Sequence, residues 1–218
     1  FKQLCEKYQN SMETITADGG FDFSSDFNHQ ENNVFKLLYT QVMYAVSLQK
    51  HNGHFVIKIF DIFLKNTCQL LYLLSCFYKK VYVTKPNTSR YANSEKYVVC
   101  KYFKLTDTKD ISERFYKILH VLRNVDMNIY EINNILNHKI QFYYLLKIEE
   151  INAIFINQQV ENILNTIKLI SYGDKKKDKI DTLKSQNIIK CVQWCEQFNI
   201  PYNKHYNKVN SFISYKKN

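Results

Sequence analysis

The sequence contains few of the residues that interrupt secondary structure, with four glycines and two prolines among 218 residues. Turn-rich all-β folds need many such residues, so their scarcity favours long helices joined by short connections. Apolar runs are also short, and none reaches the roughly 18 residues that cross a bilayer. The most apolar run, residues 67–78, is followed by two lysines and fits a core helix better, so we expect no membrane segment.

Cysteine pairs of the C-x-x-C type are absent, although the chain has six cysteines. Several cysteines lie within apolar runs, which is typical of reduced thiols in a cytosol-like compartment. Cys191 and Cys195 share a helical spacing with His205 further along, and Asp22 and Asp26 lie beside a glycine pair. The cysteines have too few additional zinc ligands, and loop carboxylates are usually solvated, so we predict no metal site.

Positive charge is in excess, with 30 Lys and Arg against 20 Asp and Glu and a formal net charge of +10. Such a chain suits a polyanionic partner, and RNA, DNA and an acidic membrane surface are all compatible with it. Net charge does not choose among these partners, so the choice depends on motifs.

The first half of the chain alternates strand and helix signals. Short β-branched or continuous apolar runs predict strands, whereas apolar residues at three- and four-residue spacing predict helices. The predicted strands are residues 14–17, 54–60, 81–83 and 97–103, and the predicted helices between them are residues 32–50 and 66–77. This alternation is typical of an α/β doubly wound sheet.

The second half predicts helices alone, because apolar residues return with a helical period from about residue 107 to residue 170. The charged run at residues 174–179 predicts a linker, and residues 183–198 predict a last helix. We therefore expect an α/β part followed by a helical C-terminal region, with bounds of 1–106 and 107–218.

One lysine, Lys58, interrupts the apolar strand at residues 54–60. Burying a cation is costly unless it is paired or loses its proton, so Lys58 is either satisfied at the strand end or functional. Asp18 ends the first strand and Glu95 precedes the last one, so both could meet Lys58 where a doubly wound sheet binds its ligands. From the residues alone, this triad is either a catalytic group or three ordinary strand-end charges.

Three segments within residues 14–104 resemble the catalytic core of the FtsJ-like ribose 2′-O-methyltransferases. They read TADGGFDFS, HFVIKIFD and TKPNTSRYANSEKYVVCKYF, and they are most similar to the mRNA cap-modifying branch of large DNA viruses and eukaryotes. The resemblance implies the C-terminal half of a Rossmann-like sheet that uses S-adenosylmethionine. It also implies that the glycine-rich cofactor loop and the first catalytic lysine lie upstream of Phe1.

The same resemblance implies roles for the triad, because the family lines its substrate pocket with a Lys-Asp-Lys-Glu tetrad. Lys58 matches the second lysine and would act as general base on a ribose 2′-hydroxyl, which is a poor nucleophile near neutral pH. Asp18 would place Lys58 and contact the cofactor near its methyl group, together with Gly19. Glu95 would orient the lysine ammonium.

The segment around the last two strands is basic and aromatic. From Lys79 to Lys104, seven basic residues stand against one acidic residue, and tyrosines are interleaved with them. Basic side chains neutralise phosphates and aromatic rings stack on bases, a combination common in surfaces for single-stranded RNA. A solvated basic loop is the simpler alternative. The expected RNA contacts are Arg90, Lys85, Asn93 and Ser94.

Together these observations predict an RNA 2′-O-methyltransferase that acts on the first nucleotides of capped mRNA. A ribosomal or transfer RNA 2′-O-methyltransferase is the alternative within the class, and a non-catalytic RNA-binding or scaffold domain of a capping complex is the alternative outside it. The presence of Asp18, Lys58 and Glu95 argues against a scaffold. We expect capping-complex proteins as partners and the cytoplasm as the location, with a viral factory, the virion or the nucleus as alternatives.

Overall fold

The computed structural model describes residues 1–20, 30–124, 134–172 and 177–203. The helices are α1 (Lys2–Tyr8), α2 (Gln30–Leu48), α3 (Lys65–Phe77), α4 (Lys109–Asn124), α5 (Phe142–Tyr172) and α6 (Lys177–Gln197). The strands are β1 (Met12–Ala17), β2 (Gln49–Ile59), β3 (Tyr78–Thr84) and β4 (Lys96–Phe103). The mixed α/β architecture that was predicted from the sequence is therefore confirmed.

The strands of the described chain form one four-stranded sheet in the order β1-β2-β4-β3. β1 runs parallel to β2, whereas β4 runs antiparallel to both β2 and β3. β1, β2 and β3 therefore share one direction, and β4 begins at the edge of the sheet where the other three end. Segments that follow the first three strands meet the segment before β4 at this carboxyl edge, which is where open α/β sheets bind ligands.

One face of the sheet packs against helices, and the alternation of burial along β2 shows which face it is. Phe55, Ile57 and Ile59 are fully buried, while Val56 and Lys58 are only partly buried. α2 provides a facing stripe of buried apolar side chains, and α3 extends the layer over β3 and β4. Burial of each such side chain stabilises the fold by about 1.5–3 kcal/mol, so this core fixes the position of β2.

The junction between α2 and β2 differs from the sequence prediction. α2 ends at Leu48 rather than at residue 50, and β2 begins at once with Gln49. Gly53, which precedes the strand predicted at residues 54–60, lies inside β2 where the pairing with β1 is irregular. A side chain at Gly53 would lie 2.7 Å from the carbonyl oxygen of Glu13, so the neighbouring backbone leaves room for glycine alone. The glycine therefore marks a bulge within the strand and not its beginning.

Packing continues past the last strand. α4 packs on α2 and buries Phe115, and α5 buries Ile148. The chain divides into two compact units, Phe1–Ile163 and Leu164–Asn218. The bound predicted at residue 106 marks the end of the strands, whereas helix packing carries the first unit beyond it.

The second unit is mainly helical and solvent-exposed. None of its described side chains, at residues 164–172 and 178–203, is buried. α6 begins at Lys177, inside the run that was predicted to be a linker, because charged residues are tolerated in a helix that is solvated on its faces. In the part of the chain that the structure describes, no helix is both long and apolar enough to cross a membrane.

Candidate active site at the carboxyl edge of the sheet

Lys58 lies near the end of β2, on the face of the sheet opposite the buried isoleucines on either side of it. Its ammonium is 2.6 Å from Oδ1 of Asp18 and 3.4 Å from the Asp18 carbonyl oxygen. The lysine side chain is 16% exposed and that of Asp18 is 67% exposed. Lys58 is therefore shielded along its stem and paired at its tip, while the partner carboxylate faces solvent.

The parallel pairing of β1 with β2 brings Asp18 to this lysine, because Ala17 pairs with Ile57 and the next residue along each strand comes alongside. Two glycines follow Asp18. A side chain at Gly19 would collide with the amide of Gln41 on α2, so this turn packs closely on the helix. A side chain at Gly20 would lie 3.6 Å from Nζ of Lys58, at ordinary van der Waals distance, so Gly20 lies directly beside the ammonium.

Tyr97 is the cross-strand neighbour of Lys58, since the two residues are directly paired between β2 and β4. Directly opposed residues of neighbouring strands project to the same face of a sheet. The Tyr97 hydroxyl donates to Oε1 of Glu95 at 3.4 Å. Burial raises the pKa of Tyr97, and the carboxylates of Glu95 and Asp18 raise it further. Tyr97 therefore connects the Lys58–Asp18 pair with Glu95 and stays a phenol at neutral pH.

Glu95 lies immediately before β4 and accepts a second hydrogen bond, 3.0 Å long, from the hydroxyl of Ser89. Among the described residues, the ion pair of Lys58 is with Asp18 and not with Glu95. The three residues of the predicted triad thus lie at one edge of the sheet, but Tyr97 separates the glutamate from the lysine. Direct orientation of the ammonium by Glu95 stays a prediction.

The loop between β3 and β4 is held together by Lys85. Its ammonium donates to the carbonyl oxygen of Asn93 at 3.0 Å, to Oδ1 of Asn93 at 2.9 Å and to the carbonyl oxygen of Glu95 at 2.7 Å. These three bonds use all the donors of a lysine. Burial lowers the pKa of Lys85, and Lys96 lowers it further. Lys85 and Asn93, both predicted as RNA contacts, here bond to the loop itself, whereas Arg90 is exposed.

A second buried lysine, Lys96, lies beneath the same edge. It is 4% exposed, lies 3.6 Å from Oδ1 of Asp61 and donates to the carbonyl oxygen of Ser94 at 2.8 Å. Burial lowers the pKa of Lys96, while Asp61 and Glu31 act in the opposite direction. The hydroxyl of Ser94 donates to Oε1 of Gln30 at 3.2 Å, so this predicted RNA contact is also bonded within the protein.

Sequence reasoning missed Tyr97 and Lys96 as parts of the site. Tyr97 looked like one aromatic residue among several in a basic segment, because its position opposite Lys58 depends on antiparallel register. A signal for Lys96 existed, since it alternates with Val98 and Cys100 on the apolar side of β4.

Metal ligands do not cluster in the described chain, where no group of three or more His, Cys, Asp or Glu side chains is arranged to hold an ion. Asp22, Asp26 and His205 lie outside the described residues. The site at the sheet edge therefore consists of lysine, carboxylate and phenol groups.

Known proteins resemble this chain most in the part that carries the site. Residues 1–103 match the model of the FtsJ-like methyltransferase family. The cap-specific mRNA (nucleoside-2′-O-)-methyltransferase 1 of Mus musculus is 41% identical over 118 residues, which are 53% of this chain and 14% of that protein. The cap-specific mRNA (nucleoside-2′-O-)-methyltransferase 2 of Pongo abelii is 32% identical over 184 residues, which are 82% of this chain and 23% of that protein.

A solved structure of a Plasmodium falciparum protein, described as a ribosomal RNA methyltransferase, aligns with 47% of this chain and 51% of that chain at 20% identity and a TM-score of 0.37. The aligned part of the chain spans only 14% and 23% of the two cap-specific relatives. The family match at residues 1–103 covers all four strands and every residue of the predicted triad. Residues 1–103 therefore form an FtsJ-like methyltransferase domain.

Proposed function

We propose that the protein transfers a methyl group from S-adenosylmethionine to a ribose 2′-hydroxyl in the first nucleotides of capped mRNA. The observation that supports this most strongly is the Lys58–Asp18 contact, 2.6 Å long, at the carboxyl edge of a sheet whose strands match the family. The names of the similar proteins, which are cap-specific mRNA 2′-O-methyltransferases, support the choice of substrate.

The chain's own residues would activate the hydroxyl. A 2′-hydroxyl attacks a methyl carbon poorly until a neighbouring group takes its proton, and Lys58 in its neutral form accepts that proton on Nζ. The oxygen–carbon bond then forms as the carbon–sulfur bond breaks. Asp18 holds Nζ of Lys58 in place and stabilises the ammonium that results, and Tyr97, as a phenol, donates toward Glu95. Because these groups are held in alignment, the entropy cost of bringing them together is not part of the activation barrier.

S-adenosylmethionine supplies the methyl group as a sulfonium when it is bound. The residues present fit its methyl end, because Gly20 lies beside Nζ of Lys58 and the Asp18 carboxylate is exposed there. Asp18 and Gly19 are the residues that would contact it. A carboxylate beside a sulfonium is favourable because the charges are opposite.

The RNA would lie on the loop between β3 and β4. Arg90 and Tyr91 are both exposed on this loop, and Tyr91 is 37% exposed. A guanidinium binds phosphate oxygens in a bidentate way, and a tyrosine ring offers a stacking surface for a base. The loop also carries Glu95, so a bound RNA would enter the site along the same segment.

Methyl transfer to defined RNAs tests this proposal. The full-length protein is incubated with a labelled methyl donor and with capped RNA, uncapped RNA of the same sequence, transfer RNA or ribosomal RNA. We expect label in the ribose of the first nucleotides of the capped RNA. Label in transfer or ribosomal RNA alone would instead assign the alternative substrate. RNA binding without any transfer would identify a scaffold.

The compartment and partners belong to the same proposal. The six cysteines are free thiols, of which Cys68 and Cys100 are buried in the core, and free thiols persist in a reducing compartment. We therefore propose the cytoplasm or a viral factory, with proteins of a capping complex nearby. Imaging of the tagged protein together with a capped-RNA marker checks this location.

A further inference from the structure

The carboxylate of Glu31 holds the beginning of α3. It accepts hydrogen bonds from the backbone N–H of Phe63, at 3.0 and 3.1 Å, and from that of Leu64 at 2.9 Å. α3 has no side-chain cap of its own at Leu64. A carboxylate at a helix N-terminus satisfies free N–H groups and is stabilised by the helix dipole. Glu31, from α2, therefore acts as the missing cap.

This contact restrains the loop that follows Lys58. β2 ends at Ile59, and residues 60–64 lead directly into α3. The loop is fixed from a second side, because the Asn152 amide donates to the carbonyl oxygen of Ile62 at 2.7 Å. Burial raises the pKa of the Glu31 carboxyl, whereas hydrogen bonds with the Thr67 side chain and with the N–H groups of Leu64 and Phe63 lower it. The end of β2 is consequently set by the position of α2.

Gln30 makes the corresponding contact to the other side of the site. Its Oε1 accepts from the hydroxyl of Ser94, which is the residue before Glu95. Lys96 bonds to the carbonyl oxygen of the same serine and lies beside Asp61 in the loop after β2. The segment that enters β4 is thus held by the first residue of α2 and by the buried lysine.

These contacts meet at one point, because Gln30 and Glu31 are the first two residues of α2. We infer that they are positioning residues of the methyl-transfer site. Glu31 sets the loop after Lys58, and Gln30 sets the segment before Glu95. The inference rests on the proposed function, and it adds a reason why Lys58 at the end of β2 and Glu95 just before β4 lie at the same edge of the sheet.

Glu31→Gln tests the first half in the full-length protein. The amide keeps one oxygen but presents an N–H₂ group to the Phe63 and Leu64 donors. We expect kcat to fall about tenfold to a hundredfold, since misplacement by an ångström has that effect, while the KM for RNA changes by less than about twofold. Assays run at a temperature where circular dichroism shows the variant folded. Glu150→Gln on α5, which removes an exposed ion pair with Lys147, is the matched control and keeps kcat.

Gln30 tests the second half through a rescue. Gln30→Met has similar length but no acceptor for Ser94, whereas Gln30→Glu keeps an acceptor oxygen. We expect Gln30→Met to lower kcat several-fold and Gln30→Glu to restore it. Hydrogen exchange at the Phe63 and Leu64 amides should quicken in Glu31→Gln and stay unchanged in Gln30→Met.

The outcomes separate this inference from the function on which it rests. If the unaltered protein is active and kcat is unchanged in Glu31→Gln and Gln30→Met, the inference alone is overturned, even if those variants unfold at a lower temperature. An unaltered protein that methylates no RNA overturns the proposed function, and the inference with it. A fall in kcat that follows the local exchange, with rescue by Gln30→Glu, supports both.

Discussion

In the sheet, isoleucines lie buried on the face opposite Lys58, whereas on α6 the same kind of residue lies at the surface. Ile57 and Ile59 are 0% and 1% exposed, and Ile189 on α6 is 52% exposed. No described side chain of the second unit, at residues 164–172 and 178–203, is buried. A functional group keeps a reactive geometry only when packed neighbours fix its backbone and rotamer. The sheet can therefore hold a side chain in a fixed position, whereas α6 presents its side chains at the surface.

The largest effect should follow from removing Lys58. Lys58→Ala in the full-length protein should lower kcat for RNA methylation about 10²–10⁴-fold, the usual loss for a general base. Lys58→Arg should fail as well, because a guanidinium stays protonated and cannot accept the hydroxyl proton. Affinities for S-adenosylmethionine and RNA should stay nearly unchanged. Single-turnover assays with a labelled methyl donor, together with calorimetry, measure both quantities.

A matched control lies on the same strand. Lys50 is exposed near the start of β2, so Lys50→Ala removes an equal charge far from the carboxyl edge and should leave kcat unchanged. Near-normal turnover by Lys58→Arg would contradict a base role for Lys58 and leave an electrostatic one. That result would also weaken the contrast between the packed sheet and the exposed helix α6.

The sequence was sufficient to predict the four strands, α2, α3 and the closeness of Lys58 to Asp18, because parallel strands always end at a common edge, but it did not predict α1. It did not predict that Tyr97 lies opposite Lys58. Apolar alternation shows which face a residue occupies, but register and strand direction depend on the loop between β3 and β4. The inward turn of Lys85 was missed for a related reason, since the loop's hydrogen bonds are decided by its fold and not by its charge.

Thiol chemistry should show the same contrast between regions. Cys100 on β4 is buried, and burial raises its pKa to about 12, whereas Cys191 on α6 is exposed. Reaction of Cys100 requires the sheet to open, so Cys191 should be alkylated more than about a hundredfold faster. Peptide mapping by mass spectrometry after timed alkylation gives the two rates. Equal rates would mean that the sheet opens so readily that Cys100 is as accessible as the exposed Cys191.

Equal truncations should have unequal costs in stability. Ile57→Ala leaves a cavity in the core beneath the sheet and should lower the free energy of unfolding by about 2–5 kcal/mol. Ile189→Ala removes the same atoms from the surface of α6 and should change it by less than about 0.5 kcal/mol. Denaturant titration of each variant measures these values. A large loss for Ile189→Ala would show that α6 is packed against another part of the full-length protein.

The smallest effect concerns RNA affinity. Arg90→Ala should weaken RNA binding by a few-fold. It should also lower the slope of log K against log salt by about one, which is the contribution of one phosphate contact. S-adenosylmethionine affinity should not change. Arg123→Ala on α4 removes another exposed arginine outside the family match and serves as the control. Fluorescence anisotropy at several salt concentrations measures both variants, and an unchanged slope for Arg90→Ala would remove Arg90 from the RNA surface.

The position of β4 between β2 and β3 has a consequence for biosynthesis. β2 and β3 leave the ribosome before the strand that joins them, so the edges of β2 and β3 that pair with β4 stay unpaired until residue 103 has emerged. Open strand edges favour pairing with other chains, so this interval is when aggregation is most favoured. The strand that closes the sheet also brings Tyr97 to Lys58, with Glu95 just ahead of it. A nascent chain therefore brings Tyr97 and Glu95 to Lys58 in the same step in which β4 pairs with β2 and β3.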